Sequence, residues 1–237
     1  MSDLNPIKFE EFNSGQRVQQ YQYKSFDPTR LNREWLWEDP LVNTLLEKAS
    51  RALAELGYVG VGIDLYGVGK RGTDKASSGA LMNALVGDPA KLRARLRRAF
   101  EETGKLEDVD ASRMASIGYC FGGLCSLLLA RLGLDLRASV SFHGLLKIGE
   151  PLESKPKARM LVLHGQDDPM VPPSDVATFA EEMKRVGGDW QFHAYPGVVH
   201  AFTNPKANDP DFGTVYDAEA DERSWISMQR FLGDVLG

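Results

Sequence analysis

An α/β fold, a mainly parallel central sheet with helices on both faces and an antiparallel hairpin at one edge, is predicted from three observations. From Gly57 onward, short β-rich runs alternate with longer helical patterns, the rhythm of a parallel sheet wrapped by helices. Several of the β-rich runs are apolar on both faces, as buried parallel strands are. Gly57, Gly133 and Gly187 stand where helices would stop. In chain order, Ile7–Phe12 and Arg17–Phe26 alternate in character around Asn13, Ser14 and Gly15, the composition of the hairpin. Strands are predicted at Tyr58–Leu65, Arg113–Tyr119, Ala138–Phe142, Met160–His164 and Gln191–Tyr195. Helices are predicted at Pro40–Leu56, Pro89–Thr103, Phe121–Gly133, Pro173–Val186 and Ala218–Val235.

With 237 residues, 43% of them hydrophobic, the chain is long enough for a sizeable core, and nothing in it reads as a linker or repeat. A single domain over 1–237 is expected, working as a monomer or a small homo-oligomer. A net charge of -5 gives no broad positive field, so neither nucleic acid nor an anionic membrane is expected as a partner. The basic run Lys91, Arg93, Arg95, Arg97 and Arg98 is interleaved with Leu92, Leu96 and Ala99 at helical spacing, which reads as a solvated helix surface. The start MSDLNPIKFEEF lacks the basic and apolar regions of a signal peptide, and charge or glycine interrupts every apolar run. Cys120 and Cys125 are the only cysteines, which suits a reducing cytoplasm. Small-molecule chemistry is the remaining expectation.

The chemistry concentrates in ASIGYCFGGLCSLLLA, where a β-rich run enters GYCFGG and a helical apolar run leaves it. This is the pattern of a nucleophile elbow, with cysteine in the reacting position. The chain must reverse sharply while presenting Cys120, and Gly118 and Gly122 are read as removing side chains that would collide. Cys120 then sits at a helix N-terminus, where unpaired N–H groups favour a thiolate and the Phe121 N–H can donate to an oxyanion. Cys125 falls within the apolar run and reads as core.

A nucleophile needs a base. His200, in YPGVVHAFTN, follows the last predicted strand and precedes the terminal helix, which is where this chemistry places it. His143 and His164, at strand ends, could line the site but read as histidines hydrogen-bonded to nearby backbone, and His193, within a strand, reads as structural. The orienting acid should follow a strand between nucleophile and base. LVLHGQDDPMVPP supplies Asp168, with Asp167 as its alternative. No spacing of histidine and cysteine forms a metal cluster, and neither metal nor cofactor is expected.

LAELGYVGVGIDLYG, IGYCFGG, LHGQDDPMVPP and HAFTNPKANDPDFGTVYDAEADERSW together resemble the dienelactone hydrolase family, within the α/β-hydrolase superfamily. The resemblance implies a Cys120, His200 and Asp168 triad. It also implies a glutamate that helps activate the cysteine, matched by Glu34 in REWLW, although the apolar strand that should precede it is missing. Either Leu31–Trp37 or the second hairpin strand, rethreaded, is expected to fill the gap between Tyr58–Leu65 and Arg113–Tyr119. Where the family's carboxylate-binding arginines would stand, this chain has Val68 and Asn204, so Lys70 and Arg71 are the substitutes on the first side. Tyr66, Trp35 and Trp37 are candidates to shape the acyl pocket. The expected activity is hydrolysis of a small ester or lactone through an acyl-enzyme. The rival readings are a catalytically impaired pseudohydrolase binding a small ligand or partner, and a redox-responsive thiol protein.

Overall fold

In the computed structural model, which describes residues 6–11, 17–21, 43–67, 70, 72–147 and 149–237, β1 (Pro6–Glu11) and β2 (Arg17–Tyr21) form the expected antiparallel hairpin. The other edge of β2 pairs antiparallel with β3 (Gly60–Ile63), from Val18 opposite Ile63 to Tyr21 opposite Gly60. Both edges of β2 are thus engaged, so it is not the rethreaded strand suggested for the gap before β4. Leu31–Trp37, the other candidate, lies outside the described residues.

The residues divide into two compact units, Met1–Ala111 and Ser112–Gly237. In the first, α1 (Asn43–Glu55) lies close over β3, because Gly60 presents no side chain where a Cβ would stand 2.6 Å from the Ser50 carbonyl oxygen. A helix not foreseen, α2 (Lys75–Val86), begins in a capping box in which the Asp74 carboxylate accepts the Ser77 N–H. α3 (Pro89–Thr103) begins at Asp88, which accepts the Lys91 N–H, followed by Pro89 with its preset φ. Leu92, Leu96 and Ala99 are buried along one face of α3. Arg95 departs from the solvated surface predicted for this run: it is buried, and its guanidinium donates to the Leu65 carbonyl. Its place in the helical period, between Leu92 and Leu96, turns it inward.

In the second unit, β4 (Ala115–Tyr119), β5 (Ala138–Phe142), β6 (Arg159–Gly165) and β7 (Trp190–Tyr195) form a parallel sheet in sequence order. All of β5 is buried, as is β6 from Met160 onward, which accounts for their apolar character on both faces. α4 (Phe121–Ala130) covers the face that carries Ser116 and Ser139. The Ser126 hydroxyl on α4 lies 2.7 Å from that of Ser116 and 2.9 Å from that of Ser139. α6 (Ala218–Leu236) covers the opposite face, where the Arg159 guanidinium stands 5.7 Å from the Phe231 ring centre. Arg159 is in register with Ala138, one residue out of phase with Ser139, so the two helices flank the sheet. α5 (Pro173–Val186) connects β6 to β7 and ends at Gly187, whose φ of 67° is the left-handed cap predicted there. α4 stops at Ala130, short of the predicted Gly133. Among the described residues, no helix is long and apolar enough to cross a membrane.

Candidate active site

The turn between β4 and α4 presents Cys120 with φ 53° and ψ -118°, a left-handed backbone that a non-glycine residue adopts at a cost of about 1–3 kcal/mol. The Cys120 N–H continues the sheet ladder to the Phe142 carbonyl at 3.0 Å, while its carbonyl accepts the Gly123 and Leu124 N–H groups at 2.9 and 3.2 Å. Gly118 makes the reversal possible, since a Cβ there would stand 1.8 Å from the Gly122 carbonyl oxygen. Gly122 does not play the part expected of it, because a Cβ at that position would meet nothing within 4 Å. The second glycine that packing requires is Gly123, where a Cβ would stand 2.7 Å from Gly144 Cα as α4 crosses the end of β5.

Asp168 stands in the turn after β6, its N–H bonded to the Gly165 carbonyl at 3.1 Å. Its Oδ1 accepts the Met170 N–H at 2.8 Å, and its Oδ2 accepts from His200 Nδ1 at 2.7 Å. Asp168 and His200 are both buried, whereas Asp167 is exposed, and its N–H donates to the Val198 carbonyl. The structure therefore brings Asp168, and not Asp167, to His200. With Nδ1 engaged, Nε2 is buried and has no hydrogen-bond partner among the described residues.

The loop carrying His200 is clamped from two sides. At the end of β6, Gly165 lets it approach so closely that a Cβ would stand 2.6 Å from the Val198 carbonyl oxygen. A short hairpin that the sequence reading missed, β8 (Asn208–Asp209) with β9 (Thr214–Val215), closes over the other side. The His200 N–H donates to the Gly213 carbonyl at 3.0 Å, and the Val215 N–H donates to the His200 carbonyl at 3.1 Å. Gly213, at φ 77°, lies against the Pro169 ring, where a Cβ would be 2.2 Å from Cγ, so this hairpin also holds the turn that carries Asp168.

Burial alone would lower the pKa of His200, but the Asp168 bond and the Cys120 sulfur together outweigh it and hold the imidazole up to about 9. Two differently situated histidines flank it. His143, after β5, has a φ of 38° and is buried. Its pKa is lowered to about 3, first by burial and then by His200. His164, at the end of β6, is lowered mainly by burial, against the opposing pull of Asp168. Cys125 is buried in α4 and its thiol is pushed up to about 12, as its reading as core implies. His193 is half-buried in β7 and lowered by burial.

Tyr66 and Lys70 belong to the amino-terminal unit; the Tyr66 N–H donates to Asp64 Oδ1 at 2.8 Å, and Lys70 is exposed. Glu34, Trp35, Trp37, Val68 and Arg71 lie outside the described residues. Asn204 spends its side-chain oxygen on the Lys206 N–H at 3.0 Å. Phe121 is the first residue of α4, directly after Cys120.

Comparison with known proteins bears on this arrangement. The model of the dienelactone hydrolase family matches residues 42–236. An uncharacterised protein of Caenorhabditis elegans is 38% identical over 150 residues, covering 62% of this chain and 95% of its own. The crystal structure of a dienelactone hydrolase-like promiscuous phosphotriesterase, P91, from metagenomic libraries superposes with a TM-score of 0.81 at 28% identity, covering 97% of this chain and 98% of that one. A thermophilic esterase from Thermogutta terrifontis, 15% identical with a TM-score of 0.64, covers 99% of this chain and 96% of its own and shares the fold.

Two outcomes are expected. Gly118→Ala should lower the unfolding free energy by about 2 kcal/mol or more, as strain at a close backbone contact does, whereas Gly122→Ala should leave it within about 1 kcal/mol of native; denaturant titration measures both. The second concerns pH. The depressed pKa of His143 gives stability that is present above the ordinary histidine value of 6.5 and is lost as pH falls toward 3. The raised pKa of His200 gives stability that is present below 6.5 and is lost as pH rises through about 9. The unfolding free energy should therefore peak near pH 6.5, with Asp168→Asn flattening the alkaline side.

Proposed function

Because the chain belongs to the dienelactone hydrolase family, we propose that this hydrolase cleaves a small carboxylic ester or lactone through Cys120, His200 and Asp168. The observation that carries the reading is the buried 2.7 Å bond from His200 Nδ1 to Asp168, which leaves Nε2 without a hydrogen-bond partner among the described residues and subject to the Cys120 sulfur. The bond fixes the tautomer and the ring's orientation, the two things a base must have settled before it acts. The family match runs across both compact units, which supports a single hydrolase domain.

The Cys120 sulfur attacks the carbonyl carbon as the thiolate of a thiolate–imidazolium pair, its proton already resting on His200, whose pKa is held up to about 9. The tetrahedral anion is held at the first turn of α4, with the Phe121 N–H as donor. Protonated His200 then gives its proton to the departing alkoxide, leaving an acyl group on sulfur. Acylation has a second effect, because the charge of the Cys120 sulfur contributes to raising the His200 pKa. Once the sulfur carries an acyl group that contribution is gone, and the imidazole becomes easier to deprotonate when it must take a proton from water. Asp168 stabilises the imidazolium in both halves of the cycle. Because Oδ1 is tied to the Met170 N–H, the carboxylate cannot swing away between them.

A second substrate class has specific support. A solved neighbour with a TM-score of 0.81 is described as a promiscuous phosphotriesterase, and a nucleophile that adds to a carbonyl carbon can also attack a phosphoryl centre, passing through a five-coordinate phosphorus as the aryloxide leaves. Paraoxon is the probe, with repeated release of nitrophenol, beyond one equivalent per chain, as the expected sign. A single equivalent would instead mark it as an inhibitor.

With p-nitrophenyl acetate, turnover is expected together with an acyl adduct on Cys120 detectable by mass spectrometry, and both should vanish in Cys120→Ala. Asp168→Asn should lower kcat by about 10³–10⁴, the scale on which a triad's orienting acid acts, while Asp167→Asn should change it by less than about threefold. Equal losses in the two variants would overturn the assignment of the acid. Silence of the native chain across a panel of activated esters, lactones and phosphotriesters would overturn the hydrolytic reading in favour of a ligand-binding pocket.

A further inference from the structure

We propose that His143, a residue outside the nucleophile, base and acid set, is a positioning residue that pins the Cys120 amide and ties it to the loop carrying the base. The inference rests on the triad reading and extends it to a fourth side chain.

His143 leaves β5 with its own N–H bonded to the Leu163 carbonyl at 2.8 Å, and its φ of 38° turns the ring back toward the elbow. The direction of its two ring bonds can be deduced. A backbone N–H can only donate, so the 3.2 Å contact from Cys120 N makes His143 Nδ1 an acceptor. A neutral imidazole with a lone pair on Nδ1 carries its hydrogen on Nε2, and that N–H donates to Thr203 Oγ1 at 2.8 Å. The Cys120 amide is therefore shared between two acceptors, the Phe142 carbonyl and the His143 ring. A three-centre bond of this kind restricts rotation of the peptide whose strained dihedrals aim the sulfur. The Thr203 bond fastens the other side of the ring to the residue three beyond the base.

The same ring packs edge-on against His200, with centroids 5.1 Å apart and planes at 67°, and against Phe202 at 5.1 Å and 78°. It thus meets the nucleophile's backbone and the base's ring at once. Neutrality matters to this placement: an imidazolium would set an N–H against the Cys120 N–H and place a like charge beside His200. Burial keeps the ring neutral, holding its pKa near 3. An apolar filler would supply the ring packing alone, whereas buried nitrogens that are both paired specify one orientation.

Side-chain length separates the two bonds experimentally. In His143→Asn the amide oxygen stands where Nδ1 was and can accept the Cys120 N–H. In His143→Gln the amide reaches toward Thr203 instead, and His143→Phe keeps only the packing. With p-nitrophenyl acetate, kcat should fall about 10- to 100-fold in the Phe and Gln variants with KM changed less than about twofold, as expected of a misaimed reacting group. His143→Asn should return kcat to within about fivefold of native.

A second readout does not depend on turnover: the rate of iodoacetamide alkylation at Cys120, located by mass spectrometry. It should fall in the Phe and Gln variants and recover in the Asn variant. Asn and Gln variants with equal alkylation rates and equal kcat, or losses that simply follow the melting temperature, would overturn the proposal. If the Phe variant fails to fold, the Asn and Gln pair still decides. A native chain that turns over no ester would defeat the hydrolase reading, while the alkylation rates would still test His143.

Discussion

A carboxylate removed from water must find partners or lose its charge, and Asp168 meets that condition through bonds that its surroundings have to supply. The Met170 N–H occupies one oxygen and His200 the other. Much of the second unit can be traced from this requirement. The end of β6 must deliver the turn, and Gly165 must be bare so that the loop after β7 can come alongside. β8 and β9 must close over that loop, with Gly213 against Pro169, so that the two partners share one frame. The pair is an arrangement in which each member makes the other's burial tolerable.

The elbow is built on the same logic with different means. Cys120 is held in an unfavourable backbone conformation by contacts on every side: the Phe142 carbonyl, the first turn of α4 and the near collision of Gly118 with Gly122. Strain survives only where the surroundings over-determine it. A sulfur aimed in this way needs little reorganisation to meet a substrate carbonyl. The imidazole beside it is tuned by that same sulfur, whose charge helps to hold its pKa up.

The parts of this protein that were legible in its sequence are those whose cause is local. β5, α3 and α5 were readable to the residue, because burial pattern, proline starts and glycine or polar stops coincide at their ends. Cys120, Asp168 and His200 stood out by motif and chain order, and the structure adds why the neighbour Asp167 faces solvent instead. What could not be read depends on contacts between distant segments. The two-residue strands β8 and β9 have no periodicity to detect, and Gly122 could not be told from Gly123 without knowing where α4 crosses β5. His143 was taken as a histidine bonded to nearby backbone, and so it is, but the backbone belongs to Cys120. α2 did carry a readable signal, Asp74 three residues before Ser77, ahead of a weakly amphipathic run.

Among the described residues, the hydrogen bonds from Cys120 to His143, from His143 to Thr203 and from His200 to Asp168 are all made within Ser112–Gly237. Descent can therefore treat the two portions of the chain differently. Substitutions in Met1–Ala111 remove none of the side chains that make these bonds, whereas in the carboxy-terminal portion a change at one of them is felt by the others.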